Sequence, residues 1–145
     1  MSSLPITCYH VPDREKALRE IKRVLKDDGH LIATTIGNTH IQEMLPWLTR
    51  VNTSERPDKF SNPFTLESGL EQLQKFFSQV KMSRYVDNLE VTEIDPLIAY
   101  IRSSIGAVDL SEEKLGELKK DLAATLEKEG KIFITKDSGL FEALK

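Results

Sequence analysis

Residues 13–37, DREKALREIKRVLKDDGHLIATTIG, change their period half-way along. In the first half Ala17, Leu18, Ile21, Val24 and Leu25 recur at helical spacing on one face, and Arg14, Glu15, Arg19, Glu20, Lys22 and Arg23 occupy the other. Pro12 and Asp13 form a helix start, because an Asp13 carboxylate can accept from the orphan N–H groups of the first turn. Gly29, after Asp27 and Asp28, is the expected left-handed stop. The run Leu31–Ile36 is apolar and β-branched between Gly29 and Gly37, the pattern of a strand covered on both faces. An amphipathic helix followed by such a strand is the second half of a βαβ unit. A first strand is then expected just before Asp13, and residues Ile6–Val11 are those available for it.

Outward from this unit, residues 38–80 read as a helical segment. Ile41, Met44, Leu45 and Leu48 share one face, with Pro46 expected to kink or restart the helix. Residues 53–63 are polar and proline-bearing, as in a loop. Thr65 caps a second helix whose apolar face is Leu66, Leu70, Leu73, Phe76, Phe77 and Val80. A strand is expected over Lys81–Val86, a turn at Asp87-Asn88 and a short extended continuation over Leu89–Thr92. Asp95-Pro96 opens a helix carrying Leu97, Ile98, Tyr100 and Ile101 that stops by Gly106. Ser111 opens the last helix, with Leu115, Leu118, Leu122 and Leu126 on its apolar face and Gly130 at its end. Lys131–Lys136 reads as a strand, Asp137-Ser138-Gly139 as a turn or bulge, and Leu140–Leu144 as a terminal strand. The order is that of an α/β fold in a single domain over residues 1–145, with a switch from parallel to antiparallel pairing near the end.

The 145 residues are 39% hydrophobic and 30% charged, ordinary for a globular domain. A net charge of -3 argues against a nucleic-acid partner, since phosphate binding requires a positive patch. Four basic residues between Arg19 and Lys26 fall on the solvated face of the first helix. Cys8 is the only cysteine, which rules out an intrachain disulfide and fits a reducing cytoplasm. No apolar run approaches the ~18 residues of a membrane span.

Three stretches resemble one family, the class I S-adenosylmethionine-dependent methyltransferases. Tyr9-His10-Val11-Pro12-Asp13, the helix after it and Leu25-Lys26-Asp27-Asp28-Gly29-His30-Leu31-Ile32 are similar to the end of the family's fourth strand, the following helix and the fifth strand. The family's helix usually ends in Leu-Lys-Pro-Gly-Gly; here Asp27-Asp28 stands for Pro-Gly. Gly37-Asn38-Thr39-His40-Ile41-Gln42-Glu43-Met44 resembles a Gly-x-x-His-Met-x-Glu-Leu segment of a bacterial and archaeal subgroup. Residues 64–104 and the ending Ile134-Thr135-Lys136-Asp137-Ser138-Gly139-Leu140-Phe141 extend the resemblance over nearly the whole chain from Tyr9. It implies the C-terminal part of a Rossmann-like methyltransferase sheet, mixed parallel and antiparallel, with residues 38–80 as a helical cap.

The family holds its methyl donor with a Gly-rich turn after the first strand and an acidic residue after the second, which grips the ribose. Backbone N–H groups approach a nucleotide where glycine permits. The glycines here stand at 29, 37, 69, 106, 116, 130 and 139, with no Gly-x-Gly among them. The N-terminal eight residues also depart from the family pattern, as if the chain began within the fold. The resemblance therefore implies S-adenosylmethionine as the complete family's cofactor and no tight binding of it by this chain.

The resemblance places Tyr9 and His10 at the carboxyl end of the fourth strand, where α/β sheets bind ligands; a histidine there either acts as a base or caps the turn into the helix. His40 and Glu43, three apart on an expected helix, share a face. They read as cap residues over a substrate pocket or as a surface ion pair, and two ligands alone make no metal site. Trp47, Phe76 and Phe77 either line an acceptor pocket or fill the core. Cys8 lacks an identifiable orienting group for nucleophilic work.

Two functions follow. One is the substrate-side half of a small-molecule methyltransferase, inactive alone. The other is a binding or assembly module, either a homodimer or the complement of a separate N-terminal half. An unpaired edge at Leu31–Ile36 motivates the homodimer.

Overall fold

A computed structural model describes residues 3–7, 11–54, 63–105 and 109–145, with only the backbone given for residues 3–7. Strand β1 (Ser3–Thr7) precedes helix α1 (Arg14–Val24) and strand β2 (His30–Ile36). A 3-10 turn (Gln42–Met44) leads into α2 (Leu45–Val51), followed by α3 (Leu66–Gln74) and strand β3 (Gln79–Val91). Helices α4 (Ile94–Ile105) and α5 (Glu112–Glu129) precede strand β4 (Ile132–Leu144). The strand order is β1-β2-β4-β3. β1 runs parallel to β2, with Ser3 opposite His30 and Thr7 opposite Thr34. β4 runs antiparallel to β2, with His30 opposite Leu144 and Ile36 opposite Ser138. The C-terminal strand β4 thus lies between β2 and β3.

The chain divides into two compact units. The first comprises residues 1–40, 61–86 and 137–145. Its core packs Leu18, Ile21 and Leu25 of the α1 segment against Leu31 and Ala33 of β2 and Phe141 and Ala143 of β4. Phe64 closes on Phe141 edge to face, with ring centroids 5.8 Å apart. Gly69 lets α3 come down onto these rings: a Cβ there would lie 2.7 Å from the Phe141 ring. The Thr65 hydroxyl accepts from the Ser68 N–H at 3.2 Å, and the Ser68 hydroxyl accepts from the Thr65 N–H at 3.0 Å, a complete capping box.

The second unit comprises residues 41–60 and 87–136. Met44, Leu48 and Val51 meet Leu97, Ile98, Ile101 and Ile105 of α4, Leu115, Leu118 and Leu122 of α5, and Ile132 and Ile134 of β4. Ser111 caps α5 by accepting from the Lys114 N–H, and Gly130 ends it in the left-handed region at φ 74°.

Several expectations are corrected. Asp13 caps α1 as expected, accepting from the Lys16 N–H at 3.0 Å, but the helix ends at Val24, with Leu25 already extended. Gly29 is therefore not the helix stop, and its backbone is not left-handed. Val24, counted on the buried face, is 60% exposed, and Leu45 is exposed too. The first strand is Ser3–Thr7 rather than Ile6–Val11, and residues 8–10 lie outside those described. Within residues 38–80, read as two helices around a loop, the second helix ends at Gln74, and Val80, placed on its apolar face, belongs to β3. Both expected interruptions, at Asp87-Asn88 and at Asp137-Ser138-Gly139, lie inside continuous strands of 13 residues. Pro96 sits in the first turn of α4 rather than opening it. Since β2 is flanked by β1 and β4, it offers no free edge. No described helix is long and apolar enough to cross a membrane.

Two glycine substitutions test this packing with opposite signs. Gly69→Ala pushes a methyl group into the Phe141 and Phe64 rings and lowers stability by about 1–3 kcal/mol. Gly116→Ala, inside α5 with no atom within 4 Å of the added carbon, raises it by about 0.5–1 kcal/mol. Urea unfolding of the full chain measures both.

Candidate functional site

Each unit gathers polar side chains at one place. In the first unit the place is the turn after β2. The Gly37 N–H donates to the Asp137 carbonyl at 3.1 Å, and the Asp137 N–H donates to His40 Nδ1 at 3.1 Å. An imidazole accepting at Nδ1 carries its proton on Nε2. The Asp137 carboxylate has no exposed surface. Arg84 meets it with two parallel hydrogen bonds, Nε to Oδ1 at 2.8 Å and Nη2 to Oδ2 at 2.5 Å, and the Thr39 hydroxyl donates to Oδ2 at 2.7 Å. Arg84 Nη2 also donates to Glu67 Oε1 at 2.8 Å, while Glu67 Oε2 accepts from the Asn38 N–H at 3.0 Å. A Cβ at residue 37 would lie 1.9 Å from Asp137 Oδ2, so only glycine leaves room for the carboxylate.

The Arg84 hydrogen bonds hold the Asp137 carboxyl below its ordinary 3.8, against burial, with Thr39 adding to them. Reciprocally, Asp137 raises the Arg84 guanidinium above its usual range. With both oxygens taken by donors, Asp137 is a structural anion rather than a base.

Glu43, in the second unit, accepts from the Thr135 N–H at 2.9 Å and the Thr135 hydroxyl at 2.6 Å. Burial opposes its ionisation, and its hydrogen bonds, led by the two from Thr135, together lower its pKa. The expected helix face shared by His40 and Glu43 does not exist. His40 lies in a turn, and Ile41 between them is left-handed at φ 51°. A β-branched residue there is strained by about 1–3 kcal/mol. The Ile41 N–H donates to the Thr135 carbonyl at 2.8 Å, so Ile41 and Glu43 together grip both main-chain groups of Thr135.

The second unit also holds a cavity of about 430 Å³. Met44, Leu97 and Ile134 are its buried walls, with Ile41 and Val91 half-buried. Thr92, Glu93, Tyr100 and Lys136 are its polar lining. Neither the Lys136 nor the Glu93 side chain has a hydrogen bond or ion pair among the described residues. Its size is that of a small-molecule site.

Of the five substrate-site candidates, Tyr9 and His10 lie outside the described residues. His40, Glu43 and Trp47 do not line the cavity, although Ile41 and Met44 beside them do. Trp47 packs against the second core, Phe77 is buried in the first, and Phe76 packs against that one. Reading residues singly missed Glu93 and Lys136. One signal pointed to Lys136: Ile132, Ile134 and Lys136 form a period-two row on one strand face, ending in a cation. Among the described residues no group of three or more His, Cys, Asp or Glu side chains is placed to hold a metal.

Residues 4–33, 30 of the 145, match the family model described as a methyltransferase domain. A search of the curated proteins finds no match to the chain.

Asp137→Asn tests the buried pair. The folded carboxyl titrates below the unfolded one, so its contribution is fully present above the ordinary value of 3.8 and disappears as pH falls through the lower folded value. The variant should be less stable at pH 7 by about 1–3 kcal/mol, and the difference from the parent should shrink as the medium is acidified below pH 4. Urea midpoints measured from pH 7 down to pH 3 check both the size and the sign.

Proposed function

We propose that this chain supplies the substrate-side, C-terminal portion of an S-adenosylmethionine-dependent small-molecule methyltransferase and is inactive alone. The observation that carries the reading is where the family match falls. Residues 4–33 cover β1, α1 and the start of β2, whose strands pair in parallel as the fourth and fifth strands of such a sheet would. The antiparallel β4 alongside β2 then corresponds to the closing strand of that sheet.

The residues present do not fit a bound methyl donor. A Cβ at Gly37, Gly69 or Gly139 would run into Asp137, the Phe141 ring or the Ser83 carbonyl, so these glycines serve packing within the chain. No Gly-x-Gly occurs anywhere in the sequence. Methyl transfer relies on holding donor and acceptor in line, so a portion that cannot hold the donor has little catalytic power of its own. A complementary N-terminal half would add its strands beside β1, the end of the strand order.

A second reading, an assembly module that dimerises, is favoured by β3. It stands at the other end of the strand order, with Tyr85 and Val86 about two-thirds exposed and Met82 and Leu89 also open. Light scattering at micromolar concentration tests it: a mass fixed at 16.5 kDa on raising the concentration excludes a dimer, and a doubled mass supports one.

Calorimetric titration of the full chain with S-adenosylmethionine and with S-adenosylhomocysteine tests the main reading. Binding no tighter than about millimolar is expected. Micromolar binding would show that other residues hold the donor and would overturn it.

A further inference from the structure

We propose that the cavity of the second unit is a binding site for an apolar monocarboxylate, with Lys136 as the group that recognises the carboxylate. The inference goes beyond the methyltransferase reading and does not depend on it, because no donor residue takes part.

Ile132 and Ile134 of β4 are buried in the second core, and Lys136 is the next residue on that face of the strand. A lysine in a core row is normally retained because its ammonium reaches solvent or a carboxylate. The Lys136 side chain is half-buried and has no hydrogen-bond or ion-pair partner among the described residues, although two carboxylates elsewhere in the unit are taken by lysines: Glu90 by Lys131 at 2.6 Å and Asp95 by Lys119 at 2.6 Å. The cavity it lines is otherwise walled mainly by apolar side chains, among them Leu97, Ile134 and Met44.

An unpaired cation at the rim of an apolar cavity complements a ligand with an apolar body and an anionic end. Burying the body supplies affinity, and a charge-assisted hydrogen bond to the ammonium supplies orientation. Glu93 lines the same cavity and is also unpaired, which favours a single negative charge over a phosphate-like dianion. The volume of about 430 Å³ suits a body of one aromatic ring or a short aliphatic chain.

The test compares three ligands of one shape, 3-phenylpropionate, 3-phenylpropan-1-ol and 3-phenylpropylamine, titrated into the 15N-labelled full chain in phosphate-free buffer. The acid should bind about tenfold tighter than the alcohol or the amine, with amide shifts concentrated at Met44, Leu97 and Ile134. Lys136→Met should bring the acid down to the alcohol's affinity, and Lys136→Arg should keep the preference. If Lys136→Met fails to fold, the acid-to-alcohol ratio in the parent and in Lys136→Arg still decides. An alcohol as tight as the acid overturns the proposal. So do an amine tighter than both, an acid that does not bind in the millimolar range, and shifts confined to residues outside the cavity. None of these outcomes bears on donor binding, so the two readings fail separately.

Discussion

A carboxylate with no exposed surface must find hydrogen-bond donors within the protein, and Asp137 finds them on two separate segments of the first unit. Arg84 comes from β3, Thr39 from the turn after β2, and the fixed position of Gly37 leaves room for the oxygens. The Asp137 main chain is held as well, its carbonyl by Gly37 and its N–H by His40. An uncompensated charge there would cost far more than any single apolar contact contributes. The turn after β2, the course of β3 past Arg84 and the continuity of β4 therefore answer to one requirement. Glu67 extends it to α3 by accepting from Arg84 and from the Asn38 N–H.

The same residue explains why the β4 reading from sequence went astray. Asp-Ser-Gly is a strong local turn signal, because each of the three favours turn conformations by its own side-chain chemistry. What overrides it is a guanidinium 53 positions away in the sequence, which no window of neighbouring residues contains. Asp87-Asn88 in β3 misled in the same manner, and there the strand simply continues in an exposed, polar form. Where a segment's own pattern decided the matter, the reading held. The Asp13, Thr65 and Ser111 caps and the Gly130 stop all depend on residues within one or two turns. Gly29 shows the limit, since a glycine near a helix end need not be the one that ends it.

The site was less legible than the fold for a related reason. His40 and Glu43 were noticed because both can carry chemistry, but their side chains are spent on the Asp137 N–H and on Thr135. A polar residue beside a strand's main chain is often a structural clamp, and its spacing in sequence does not distinguish the two uses. The cavity is built from residues of the β2–α2 connection, β3, α4 and β4, and its unpaired Lys136 becomes visible only when those segments are brought together.

The two ends of the strand order differ in what they offer a partner. β1 is 5 residues long and contains Pro5, which has no main-chain donor to give. A strand added beside it would lose at most one hydrogen bond, about 1 kcal/mol. That weakens pairing with a complementary half without forbidding it, and proline is tolerated best at an edge. β3 is 13 residues long with no proline, but it carries Lys81 and Arg84 followed by Asp87 and Glu90 among its exposed apolar side chains. Charges of both signs along an edge protect against indiscriminate pairing, because a wrong register sets like charges opposite each other. Arg84 and Glu90 are already committed, to Asp137 and to Lys131, which leaves Lys81 and Asp87 to discriminate between registers. The β1 end thus carries a donor gap, while the β3 end has the longer ladder but admits fewer registers.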